Sequence, residues 1–200
     1  NQEVGKNISF SFLRENYQAI YLTTGTQFPN DVGIEGEGLK GVYHGLPFLK
    51  DIHSGRRVKA GKKVVVIGGG STAMDAARSA LRLGAAEVKV IYRRETEDMP
   101  AGKRELTGAM EEGVEIIPLT RPLRILGDEK GRVKGIECQR MLPGEYDSKG
   151  RPRPHHEEGS EFVIACDMVI PAVSLHADFP FISSRDVEMT AWGTLVTSRH

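Results

Sequence analysis

Six consecutive small residues carry the strongest chemical signal in this sequence: Gly68, Gly69, Gly70, Ser71, Thr72 and Ala73. They satisfy the spacing G-x-G-x-x-A, which is diagnostic only between a buried strand and a helix. In that setting the first glycine allows a tight turn, and the second lets the backbone approach a diphosphate with no Cβ in the way. The small Ala73 lets helix and strand pack closely. The helix end behind the loop offers unpaired N–H groups and roughly half a positive charge to an anion. Ser71 or Thr72 is expected to cap that end or to donate a hydroxyl to the ligand.

A second group of polar residues follows, where Arg93 and Arg94 come directly after Val90, Ile91 and Tyr92. A dinucleotide site that takes NAD usually has an acid at this strand tip to grip the ribose 2′-OH. Here Glu95 comes only after the two arginines. Two planar, permanently charged guanidiniums suit a 2′-phosphate instead, and one could stack on adenine. At roughly 1.5–3 kcal/mol per charge-assisted hydrogen bond, one or two contacts favour NADPH over NADH by about 10- to 1000-fold. Arg104, with Lys103, is a further candidate if its helix starts beside the ribose. The blander alternatives are a tight strand–helix turn with no ligand and a solvated arginine pair.

The elements that must position these residues are legible from periodicity. The β-branched run 63–67 reads as a strand buried on both faces of a parallel sheet. An Ala- and Leu-rich helix over 72–83 is closed by Gly84. A strand over 87–92, a helix over 102–112 closed by Gly113, and a strand over 114–119 complete a β-α-β-α-β order, whose crossovers make parallel strands. The segments 123–126 and 133–141 flank a turn at 128–131 and read as a hairpin. Residues 142–160, polar with three prolines and three glycines, are expected to form a loop. Strands are expected at 162–165 and 168–173. Upstream, 19–23 reads as a buried strand and 43–52 as a short helix.

Bulk properties exclude several functions. Of 200 residues, 27 are Lys or Arg and 27 are Asp or Glu. The net charge of zero supplies no field to draw the chain onto nucleic acid or an acidic membrane. No apolar run approaches the ~20 residues that span a bilayer, and a cytoplasmic location is expected. Cys138 and Cys166 are far apart and outside any CxxC, so buried apolar roles are expected for both. His155, His156, Glu157 and Glu158 have no spaced partners to complete a metal shell, and no metal site is expected. Met74 and Met110 are expected in the core, and Asp75 on the surface.

Taken together, residues 68–78, 90–94, 99–101 and 111–114 resemble the small (beta) subunit of NADPH-dependent glutamate synthase and its relatives. Those include the NADPH-binding part of dihydropyrimidine dehydrogenase and the larger subunit of NADH-dependent ferredoxin:NADP oxidoreductase. The resemblance implies an α/β fold: a three-layer, Rossmann-like NAD(P)-binding domain of parallel sheet plus β-hairpin or meander, inserted into a split FAD-binding domain. It places partial FAD-domain segments at 1–56 and 166–200 and the NADP(H)-binding domain at 57–165. Thr24 and Gly25 match the crossover out of the FAD domain, and Ala172 and Val173 the strand leading back. Ser174 and Leu175 depart from the family's usual Gly-Gln there, and Ser71 stands where relatives often have Asp or Asn.

The implied reaction is hydride transfer between NADPH and FAD in a longer parent flavoprotein, with no catalytic side chain required. The implied partners are a nicotinamide dinucleotide and a large catalytic subunit or iron–sulfur electron-transfer protein. The chain alone is expected to be inactive. The alternative is a non-catalytic dinucleotide-binding or interaction module on the same fold.

Overall fold

The valine run at 63–67 sits at the centre of a four-stranded parallel sheet in the computed structural model, which describes residues 2–147, 150, 152–183, 185–190 and 193–197. The helices are α1 (Phe10–Asn16), α2 (Gly45–His53), α3 (Ser71–Arg82) and α4 (Lys103–Glu111). The strands are β1 (Phe28–Pro29), β2 (Lys63–Ile67), β3 (Glu87–Ile91), β4 (Glu115–Ile117), β5 (Thr120–Gly127), β6 (Val133–Leu142), β7 (His155–Ile164), β8 (Met168–Pro171) and β9 (Leu175–His176). The parallel sheet has the order β4-β3-β2-β8, and β5-β6-β7 form an antiparallel meander.

Alternation along the strands explains the layering, since successive side chains point to opposite faces. Val64, Val66, Val88, Val90 and Ile170 pack with α2 and with the alanine face of α3. Val65, Ile67, Ile91 and Val169 face the other way, onto Ile125, Ile136, Cys138 and Ile164 of the meander. The central layer is therefore buried on both sides, as the near-continuous apolar strands require. On α3 the buried residues Ala73, Ala76, Ala77 and Ala80 share one face, and small side chains there let the helix lie close to the sheet. Gly84 and Gly113 end α3 and α4 in the left-handed region, with φ of 94° and 100°.

Two units divide the chain: Asn1–Asn30 with Leu175–His200, and Asp31–Ser174. The larger unit thus extends past the 57–165 expected from sequence. Residues 41–43 explain the added N-terminal stretch, because they cover the outer edge of β8. Val169 N–H donates to Gly41 O at 2.9 Å, and Tyr43 N–H to Val169 O at 3.0 Å. In the smaller unit β1 pairs with β9, and Arg14 of α1 meets Asp186 at 3.4 Å.

Three expectations are corrected. The run 19–23 forms no strand, and Tyr21 is 91% exposed. An apolar run becomes a strand only where a neighbour pairs with its backbone, and no described residue does so. The expected loop over 142–160 is shorter, because β7 begins at His155; residues 148, 149 and 151 lie outside the described residues. β7 is an edge strand with a register shift opposite 139–141, Gly159 at φ 70°, and a mostly exposed surface. Its polar, bulged sequence therefore imitates a loop. Met110 is 54% exposed rather than core, while Met74 is fully buried.

Candidate functional site

The three glycines at the end of β2 are needed for three different reasons. Gly68 has φ 144°, and a Cβ there would run into the Ala172 carbonyl. Gly69 lies under the Tyr92 ring, with two ring carbons 2.7 Å from where its Cβ would stand. Gly70 has open space at that position and an ordinary φ of −93°. Only at Gly70, therefore, does the lack of a side chain leave room for something from outside the chain. Ala73 is fully buried, and its Cβ is 3.4 Å from the Cβ position of Gly68.

Gly70 caps α3 with no side-chain bond. This corrects the expectation that Ser71 or Thr72 caps the helix; both lie within its first turn. The Ser71 hydroxyl instead donates to Glu105 Oε2 at 2.9 Å. Among the described residues the N–H groups of Gly69, Gly70, Ser71 and Thr72 find no acceptor, and the first amide returned to the chain is that of Ala73, to Gly70 O. Four orphan donors at one helix end form an anion cradle.

The segment from β3 to α4 is stitched to this cradle. Ala101 N–H donates to Gly69 O at 3.0 Å. The Tyr92 hydroxyl donates to Asp98 O at 2.9 Å, which holds the ring over Gly69. Sequence reasoning singled out neither Tyr92 nor Glu105, because their partners are set by tertiary approach rather than by spacing.

The structure gives the two arginines different surroundings. Arg93 is exposed at the tip of β3, with no partner among the described residues. Arg94 is half-buried, and its Nε donates to Pro152 O at 3.0 Å. Arg104 and Lys103 are exposed in the first turn of α4, next to the residue that Ser71 touches. Ala172 donates its N–H to Ile67 O at 2.8 Å and lines the glycine turn, and Val173 beside it is exposed. Thr24 and Gly25 belong to the smaller unit. There the Thr24 carbonyl accepts from Gln27 Nε2 at 2.8 Å, and Gly25 has φ 68° with open space at its Cβ position.

Other polar groups have structural employment. Burial pushes the Cys138 and Cys166 thiols up to about 12, so both stay protonated and inert. His155, His156, Glu157 and Glu158 lie along β7. Asp31, Glu37 and His44 come together within 4.8 Å, but Glu37 already accepts the N–H groups of Val32, Gly33 and Ile34 and so shapes a turn.

The chain is similar to several known proteins. The profile of the pyridine nucleotide-disulphide oxidoreductase family matches residues 13–200. The chain is 45% identical over 198 residues to the beta subunit of NADPH-Fe(3+) oxidoreductase from Geobacter sulfurreducens, covering 97% of this chain and 30% of that protein. It is 36% identical over 208 residues to the small chain of glutamate synthase [NADPH] from Escherichia coli, covering 98% and 44%. The chain thus spans less than half the length of these curated relatives. Its fold is similar to FprA from Mycobacterium tuberculosis, solved in complex with NADPH. That match has a TM-score of 0.74 at 17% identity and covers 94% of this chain and 56% of the other.

Proposed function

The chain belongs to the pyridine nucleotide-disulphide oxidoreductase family, and from that premise we propose that it is the NADP(H)-binding part of a flavin-dependent oxidoreductase passing hydride between NADPH and FAD. One observation carries the reading: the N–H groups of Gly69 to Thr72 have no acceptor among the described residues, beside the open Cβ position of Gly70, with the unpaired guanidinium of Arg93 just past the neighbouring strand. Gly69, Gly70, Ser71 and Thr72 would hold the diphosphate by backbone N–H groups. Arg93 would hold the 2′-phosphate, with Arg104 adding positive field. Arg94, tied to Pro152, braces that corner.

The unit Asn1–Asn30 with Leu175–His200 is then the FAD-domain portion, and the open position above Gly25 fits close passage of a nucleotide. The exposed Val173, next to the glycine turn, would face the nicotinamide end. The nicotinamide and the flavin supply the hydride chemistry, while the chain orients and binds. The names of the Geobacter and Escherichia relatives, subunit beta and small chain, support a partner subunit that takes the electrons onward, and they name NADPH. No helix among the described residues is long and apolar enough to cross a membrane, and a cytoplasmic location is part of the proposal. A non-catalytic module would bind NADPH without reducing a flavin, so flavin bleaching under NADPH, followed in the full-length protein that contains this chain, separates the two.

Arg93→Ala tests the coenzyme choice. Calorimetric titration should show NADPH affinity falling at least about tenfold while NADH affinity barely moves. Arg94→Ala should cost less selectivity. Equal loss of both nucleotides in Arg93→Ala would remove the 2′-phosphate role.

A further inference from the structure

The proposed coenzyme site lies where two helices begin side by side. Ser71 and Glu105 meet at the N-terminal ends of α3 and α4, and Arg78 and Arg82 meet Glu112 toward the C-terminal ends. The helices are therefore parallel neighbours, and their two positive ends lie together. Lys103 and Arg104 add positive charge in the first turn of α4, where basic residues are disfavoured. The first turn of α3 contains no acid, and that of α4 contains Glu105.

One carboxylate oxygen thus links the two helix starts. Glu105 Oε2 accepts the Gly102 N–H at 2.8 Å and the Ser71 hydroxyl at 2.9 Å. These two hydrogen bonds, led by the Gly102 amide and helped by the more distant Arg78, hold the carboxyl below the usual glutamate range. Ser71, the first residue of α3, is also part of the anion cradle, so Glu105 stands one hydrogen bond from the place assigned to the diphosphate.

Resting on that reading of the site, we propose that Glu105 is a built-in counter-charge that positions the Ser71 hydroxyl and fixes the two helix ends, while opposing a bound diphosphate so that the coenzyme leaves readily. A protein that must exchange oxidised for reduced coenzyme at each turnover gains from a site that is ordered yet not too tight. The carboxylate supplies both properties. It caps α4 through the Gly102 N–H and ties the start of α3 through the Ser71 hydroxyl, and its charge repels the ligand that the unpaired α3 donors attract.

Glu105→Gln separates the two effects, because glutamine keeps an acceptor for both hydrogen bonds and removes the charge alone. Titrations on the full protein at low salt should show NADPH and NADH both bound about three- to tenfold more tightly, with their ratio unchanged. The gain should shrink as salt screens the charge, and stopped-flow release should slow to match. Ser71→Ala keeps the charge but cuts the tie, and should weaken both nucleotides. Unchanged or weaker binding by Glu105→Gln, a gain indifferent to salt, or wild-type binding by Ser71→Ala overturns the proposal. A wild-type protein that binds neither nucleotide refutes the coenzyme reading itself, which is a separate result.

Discussion

At the scale of single residues, the glycine turn divides folding from binding. Gly68 and Gly69 are constrained by the chain itself, through the Ala172 carbonyl and the Tyr92 ring, whereas nothing in the chain constrains Gly70. Alanine at these positions should therefore have opposite signatures. Gly68→Ala adds backbone strain at positive φ to a collision with main chain, and should cost about 2–4 kcal/mol in urea unfolding. Gly70→Ala puts a methyl group into open space at an ordinary φ, and should move the unfolding midpoint far less than Gly68→Ala while NADPH affinity drops at least about tenfold. A Gly70→Ala protein with wild-type affinity would mean that no ligand backbone approaches this point. The motif was visible in the sequence, but the division of labour within it was not. That division depends on Ala172 and Tyr92, which the fold brings to the turn from just past β8 and β3.

At the scale of elements, the parallel strands and their crossover helices were legible because burial on both faces writes continuous apolar runs, and glycine closes each helix. The hairpin of β5 and β6 was legible from its turn, where Asp128 Oδ1 accepts the N–H groups of Lys130 and Arg132, each at 2.9 Å. What failed to show was β7, whose edge position and bulge let polar residues face water, and the unpaired run at 19–23. Neither failure concerns propensity; each turns on which neighbour is present to pair. The parallel seating of α3 on α4 was equally hidden, and it depends in part on Glu112, which accepts from Arg78 Nε at 3.0 Å and from Arg82 Nη2 at 2.8 Å. The Arg78 hydrogen bond, then the charges of Arg78 and Arg82, depress the Glu112 carboxyl below its ordinary 4.5. A depressed carboxyl stabilises the fold above the ordinary value, and that contribution is lost as pH falls through the folded value. Glu112→Gln should therefore unfold at lower urea than the wild type at neutral pH, and the gap should close as pH falls below 4.5 and through the folded value. A gap that persists in acid would show that packing, not charge, joins the helices.

At the scale of the whole molecule, the apolar cores are unevenly shared. Both clusters that cover the faces of the central sheet, from Val32 to Ala172, fall within Asp31–Ser174. In the other unit the buried apolar side chains among the described residues are Phe10 and Ile182. Hydrophobic burial is the main favourable term in folding, so the larger unit holds nearly all of what can make it a cooperative body. Each residue proposed to touch the diphosphate and the 2′-phosphate lies in that same stretch. A protein trimmed to 31–174 should therefore melt in one cooperative transition and bind NADPH within about threefold of the full chain's affinity. Calorimetry on the trimmed protein decides the matter: a broad, non-cooperative melt would show that the two sheet-covering clusters do not suffice, and that the nucleotide site depends on residues outside the unit that forms it.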